Sequence, residues 1–249
     1  MLKKFEGIVL KARDYGESNQ ILTVFTRYQG KIAIMARGSK KTRSRFGAVT
    51  EPFTRAHFVT FGTGNILTLS QADLIHSYHL LRSDLLLMAY GAYWVEIIDK
   101  TTEDKEPCPP LYEMLVLLLS RLEQKTDPDI LTFILELRIL EMAGYTPVLD
   151  SCVSCHESKR PARFSVRQGG FLCEQCQSQD PEALPVSEAS ARILPTLLKM
   201  DLRRLGEVKI RQETRKQLEK IIRSFVAEYL PVRLKSLHLL EQLKGSWSE

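Results

Sequence analysis

Asn19-Gln20-Ile21-Leu22-Thr23-Val24-Phe25-Thr26-Arg27-Tyr28-Gln29-Gly30-Lys31-Ile32-Ala33-Ile34-Met35-Ala36 reads as two β-strands joined by a short turn. Ile21, Leu22, Val24 and Phe25 crowd the first strand, Ile32 and Ile34 alternate through the second, and Gln29-Gly30 breaks the run. Upstream, residues 7–13 are rich in β-formers. Downstream, residues 52–61 alternate Phe53, His57, Val59 and Phe61 with smaller groups, and residues 65–73 close the series through Ile66, Leu67 and Leu69. Breaks at Tyr15-Gly16, at 38–47 and at Gly62-Thr63-Gly64 separate them. Five short strands make a sheet too narrow to leave open, so the expectation is a small closed barrel of the OB type, which has no exposed edges.

Beyond the barrel the period becomes helical. Ser83 or Asp84 caps a helix over 85–99 with Leu86, Ala89, Tyr93 and Ile97 on one face. A second helix covers 111–123. Asp127 caps a third that starts at Pro128 and stops near Gly144. Ser187 caps another reaching about Met200, a long one covers 211–229, and a short one follows Pro231. The expected organisation is α+β and multi-domain. An OB-fold domain at 1–80 precedes an α-helical domain at 81–147 and 186–249, which carries a four-cysteine insertion at 148–185.

That insertion holds Cys152-Val-Ser-Cys155 and Cys173-Glu-Gln-Cys176, two C-x-x-C pairs with seventeen residues between them. Two-residue spacing lets both sulfurs of a pair reach one metal from a tight turn, and two such knuckles supply the four thiolates of a closed tetrahedral zinc site. Two redox pairs or two disulfides are the rival readings. A closed four-thiolate site leaves no position for water or substrate, so one structural zinc is expected. Cys108, before Pro109-Pro110, is read as an incidental thiol in a loop.

Of 249 residues, 44% are hydrophobic and 26% charged, the balance of an ordinary soluble globular protein. The first residues lack the apolar stretch of a signal peptide, and the apolar runs at 85–88 and 114–119 are too short to span a bilayer. With a thiolate metal site, this predicts a reducing, cytoplasmic compartment. The net charge of +5 is unevenly spread: through residue 80, twelve Lys and Arg face five Asp and Glu, an excess of +7, leaving −2 for the rest. Such asymmetry points to a polyanion-binding N-terminal module.

The sharpest cluster is Arg37, Lys40, Lys41, Arg43 and Arg45, a glycine-flanked loop with Phe46 beside it and Tyr15 and Tyr28 at neighbouring turns. Loops of OB barrels border a groove in which cations follow the backbone and aromatic rings stack on bases. On its own such a run reads as a solvated loop; the regional excess and the barrel favour nucleic acid. Arg211, Arg215, Lys216 and Lys220 form a second basic stripe on the long helix, where a solvated face is the plainer account. Lys159, Arg160, Arg163 and Arg167 add charge to the cysteine segment.

Enzymatic signatures are missing: the sequence contains no G-x-x-x-x-G-K-[ST], no G-x-G-x-x-G and no H-E-x-x-H. Neither C-x-x-C follows a proline, as zinc deaminases require. His57, His76, His79 and His238 are scattered without obvious carboxylate partners. The chain reads as a binder. A DNA-binding mediator, an RNA-binding OB-fold/zinc protein and a zinc-dependent nuclease are the readings to separate, the last needing an open metal site.

The run Gly7-Ile8-Val9-Leu10-Lys11-Ala12-Arg13-Asp14-Tyr15-Gly16-Glu17-Ser18-Asn19, followed by Ile21-Leu22-Thr23-Val24-Phe25-Thr26, resembles the opening of the RecO family of bacterial DNA-repair proteins. The 31–41 stretch, Glu136-Leu137-Arg138-Ile139-Leu140-Glu141-Met142-Ala143-Gly144-Tyr145-Thr146-Pro147 and the paired C-x-x-C extend the likeness over essentially the whole chain. The resemblance implies a recombination mediator without turnover, nucleotide or membrane. Such proteins bind single- and double-stranded DNA, anneal complementary strands, and with RecR load RecA onto strands coated by single-stranded-DNA-binding protein (SSB). It also implies contact between the helical domain and the acidic C-terminal tail of SSB, for which Arg121, Lys125 and Arg138 are the candidate cations. Some relatives lack the four cysteines, which fits a structural metal.

Overall fold

A computed structural model describes residues 2–246. Its strands are β1 (Leu2–Tyr15), β2 (Asn19–Thr26), β3 (Gly30–Ala36), β4 (Arg55–Phe61), β5 (Ile66–His76), β6 (Pro161–Ser165), β7 (Gly170–Cys173) and β8 (Leu184–Pro185). Its helices are α1 (His79–Ser83), α2 (Leu85–Thr101), α3 (Pro109–Glu123), α4 (Pro128–Met142), α5 (Glu188–Leu198), α6 (Gln212–Tyr229) and α7 (Lys235–Ser246). The chain divides into two compact units, Met1–Lys125 with Leu234–Glu249, and Thr126–Arg233.

In the first unit, five strands close into a barrel in the order β1-β2-β3-β5-β4, as expected of an OB fold. β1 is longer than its apolar run because it serves two partners. Leu2–Ile8 pairs with β4, and Gly7–Tyr15 pairs with β2. The overlap needs Gly7, where a Cβ would lie 2.4 Å from Val24 Cγ1. A bulge between Val9 and Lys11 bends the strand, and a parallel β3–β5 pairing from Ala33↔Ile66 to Met35↔Thr68 closes the barrel.

The barrel core packs Phe5, Val9, Leu22, Val24, Ile32, Ile34, Phe58, Leu67 and Leu69. Burying each such side chain contributes about 1.5–3 kcal/mol. For β4 the alternation has the opposite phase to the one expected. Ala56, Phe58 and Thr60 point inward, while Phe61 is 45% exposed and Phe53 precedes the strand. Apolar residues occupy both phases of this segment, and the contact of Phe58 with Phe5, centroids 6.1 Å apart, decides between them.

α2 begins where Asp84 accepts hydrogen bonds from the N–H groups of Leu86 and Leu87, and it buries Tyr93, Trp94, Ile97 and Ile98. α3 starts two residues earlier than its apolar period, at Pro109, because proline fits the first turn. α7 packs on α2, and Glu96 accepts from both the backbone N–H and the hydroxyl of Ser236.

In the second unit, α4 is buried along most of its length, from Asp129 through Leu137, and packs against α5 and α6. Gly144, at φ +86°, follows its end as the expected left-handed residue. β6, β7 and β8 form a small sheet in the order β7-β6-β8. Phe164 of β6 meets Phe225 of α6 edge-on at 5.5 Å, which seats the sheet on that helix.

Candidate metal centre and nucleic-acid interface

The first C-x-x-C pair lies in the turn after α4, and the second begins at the end of β7. The hairpin β6–β7 brings the pairs together, so that one sulfur from each of Cys152, Cys155, Cys173 and Cys176 lies within 4.8 Å of the others. Cys155 Sγ and Cys173 Sγ are 3.9 Å apart. Tetrahedral zinc with sulfur at ~2.3 Å has sulfur–sulfur edges of about 3.8 Å, so the four side chains fit such an ion. Four soft thiolates also match its chemistry.

The protonation pattern explains why this cluster calls for a cation. Burial pushes the Cys152 thiol up, but the backbone N–H groups of Cys155, Cys173 and Ser154 outweigh it and bring it down to about 6. At Cys176 the Ser154 hydroxyl works downward, yet burial and the neighbouring thiols push it up to about 11. Sulfurs this close do not share several negative charges unaided, and a divalent ion removes the conflict. Three of the four cysteines are buried and Cys155 is half-buried.

The basic segment 37–45 forms consecutive turns after β3. The Gly38 N–H donates to Asn19 Oδ1 at 2.8 Å, the buried Ser39 hydroxyl donates to Gln20 Oε1 at 2.9 Å, and the Lys40 N–H donates to the Ser18 carbonyl at 3.1 Å. The loop is thereby fastened to the β1–β2 turn while Arg37, Lys40, Lys41, Arg43 and Arg45 stay exposed. Lys40 pairs with Asp14. Phe46 is placed otherwise than expected: it is 5% exposed and packs in the barrel core, with the Arg45 guanidinium 4.7 Å above its ring. An enclosed ring has no free face for a base, so Phe46 anchors the loop. Of the two tyrosines, Tyr15 ends β1 beside the basic loop, whereas Tyr28 lies at the other end of β3.

Strand register adds two cations that composition alone did not single out. Lys11 and Arg13 face outward on β1, opposite Thr23 and Ile21, and both are exposed. Their signal was the two-residue alternation within residues 7–13.

On α6, Arg211, Lys216 and Lys220 are exposed, but Arg215 is occupied. Its guanidinium donates to Asp127 Oδ1 at 2.8 Å and to Asp129 Oδ2 at 3.0 Å, and these contacts hold its pKa above the ordinary arginine value. It staples α6 to the start of α4 and is not free for phosphate. Arg223 is similarly used by the buried Glu136. Arg121 and Lys125 belong to the first unit. Arg138 lies on α4 in the second unit, where it pairs with Glu141.

An OB barrel with a cationic rim, in a chain that also carries a closed four-thiolate centre, defines a nucleic-acid-binding class of protein. The family model described as Recombination protein O N terminal matches residues 1–78, and Recombination protein O C terminal matches residues 82–238. The chain belongs to the RecO family. It is 42% identical over 245 residues to the DNA repair protein RecO of Bacillus pumilus (strain SAFR-032), covering 98% of this chain and 96% of that one. The DNA repair protein RecO of Bacillus subtilis (strain 168) gives the same identity and coverage. That of Halalkalibacterium halodurans is 41% identical over 245 residues, again covering 98% and 96%. Among the described residues no helix is long and apolar enough to cross a membrane.

Proposed function

We propose that this chain is a non-enzymatic mediator of recombinational DNA repair. It binds single- and double-stranded DNA through the barrel, anneals complementary strands, and works with RecR to load RecA onto SSB-coated single strands in the cytoplasm. The observation that carries the reading is the exposed loop Arg37, Lys40, Lys41, Arg43 and Arg45, held on a rigid barrel beside Lys11 and Arg13. Cations so fixed neutralise phosphates of two strands at once, which lowers the repulsion that opposes annealing. Phosphate contacts carry no sequence information, so binding is general. Arg211, Lys216 and Lys220 are a secondary DNA contact. For an acidic SSB tail the candidate cations are Arg121 and Lys125 in the first unit and, as a separate alternative, Arg138 in the second once Glu141 gives way. One zinc ion, held by Cys152, Cys155, Cys173 and Cys176, is structural.

The test is salt-dependent binding of single-stranded DNA and RNA to the parent and to a variant with Lys40, Lys41, Arg43 and Arg45 replaced by alanine. The variant should bind more weakly, and its log–log salt slope should flatten by about 0.7 for each lost phosphate contact. An unchanged slope removes the loop from the site. Preference for RNA over DNA would favour an RNA-binding role.

A further inference from the structure

Beside β1, within the first unit, lies a cleft of about 500 Å3, a size usual for small-ligand sites. Leu10, Ala12, Phe53, Met88 and Val95 line it with apolar surface, and the exposed Lys11 and Lys235 add charge to the lining. Its wall is built from two backbone irregularities. The β1 bulge takes Leu10 out of register between Val9 and Lys11, so that consecutive apolar and cationic residues share the cleft. Phe53, at φ +72°, occupies a conformation unfavourable for an aromatic residue. Its N–H donates to the Val9 carbonyl at 2.8 Å, and its ring lies so near Gly91 that a Cβ there would be 3.0 Å away.

Among the described residues the other charged groups of the cleft have partners, with one exception. Asp99 receives Lys31 at 3.3 Å, Glu96 receives Ser236, and Arg82 donates to the carbonyls of Pro52 and Ser77. Glu51 is the exposed acid that remains. Lys11 and Lys235 are exposed and make no ion pair among the described residues. Two exposed lysines against one exposed acid leave the apolar slot with an excess of positive charge, which suits a flat, weakly polar group attached to an anion.

Lys11 also continues the cationic edge of the barrel. Arg13 follows it on the same face of β1, about 7 Å away by strand geometry, and Tyr15 marks the turn to which the basic loop is bound. We propose that the cleft receives one unpaired nucleobase from a strand that follows the basic loop, Arg13 and Lys11, with Lys11 and Lys235 on the flanking phosphates. The assignment rests on the DNA-binding reading above and adds discrimination between single strands and duplex. A base in a duplex enters only after unstacking and unpairing, whereas an unpaired base enters directly.

The experiment fills the cleft. Ala92 lines it from α2 and is half-buried, so Ala92→Phe occupies the space without removing core contacts. Salt titrations compare the parent, Ala92→Phe, the Lys11→Ala/Lys235→Ala pair and the loop variant, on single-stranded and duplex DNA. A single strand carrying one 2-aminopurine reports base environment. Ala92→Phe should lower single-strand affinity about tenfold with an unchanged salt slope, leave duplex binding as it is, and abolish the 2-aminopurine response. The lysine pair should flatten the single-strand slope by about 0.7 per contact. If Ala92→Phe melts below the parent, the exposed lysine pair decides instead. Parental single-strand binding by the filled cleft, equal losses on single strand and duplex, or an unchanged slope in the lysine pair would each overturn the assignment. A filled cleft that spares DNA but blocks capture of a protein partner would give the site to a peptide. If the loop variant loses slope while Ala92→Phe matches the parent, only the cleft assignment fails. If the parent itself binds no strand, the DNA-binding reading fails first.

Discussion

Gly170 shows how tightly single positions are constrained around the metal centre. A Cβ there would lie 2.4 Å from the Val148 carbonyl oxygen and 2.5 Å from Val153 Cγ1. Backbone and a short branched side chain cannot yield as the tip of a long one does, so Gly170→Ala should cost about 1–3 kcal/mol, read by denaturant unfolding. Cys152→Ser should abolish metal retention, measured as zinc per chain after dialysis; full retention would refute the four-ligand set. The clustering of these four cysteines was legible from spacing alone, because two-residue gaps and paired knuckles are local. Arg215 was not. Its i, i+4 relation to Arg211 resembled a surface stripe, yet its partners Asp127 and Asp129 lie 88 and 86 residues away. Phe46 was misread for a related reason: proximity to cations in sequence says nothing about which way a loop residue turns.

At the level of elements, Glu6 is the tie worth testing. It sits on β1, accepts from Arg55 of β4 at 2.7 Å and from the Tyr112 hydroxyl of α3 at 2.9 Å. Burial raises its pKa, but the bonds from Arg55 and Tyr112 prevail and hold it below its ordinary 4.5. A carboxylate depressed in the folded state contributes stability above its unfolded pKa and loses it as pH falls through the folded value. Acid should therefore weaken the joint of β1, β4 and α3 below about pH 4.5. Glu6→Gln should be less stable at neutral pH and show a flatter decline under acid, followed by circular dichroism. All five barrel strands and six of the helices were readable from periodicity, caps and turns. The phase of β4 was not, because apolar residues occupy both of its faces, and α1, a five-residue helix, is too short to show a period.

For the whole molecule, the division into two units sets the expectation for metal removal. The four cysteines lie in the second unit, and structural zinc contributes on the order of 10 kcal/mol or more in small modules. The core around α4 offsets part of that loss. Chelation should raise amide exchange across β6 and β7 while β1–β5 keep their protection; equal loosening of the barrel would contradict this. Periodicity placed the helices but not their partners, which depend on contacts remote in sequence. α7 is the clearest instance. Ser236 closes on Glu96, 140 residues earlier, and α7 covers a flank of α2. During synthesis, α2 therefore emerges long before the helix that shelters it. The intervening unit, Thr126–Arg233, is made in between, so the first unit completes itself only after the second has left the ribosome. A nascent chain halted within α6 would present the barrel with that flank of α2 still bare, a state open to chaperones and proteases.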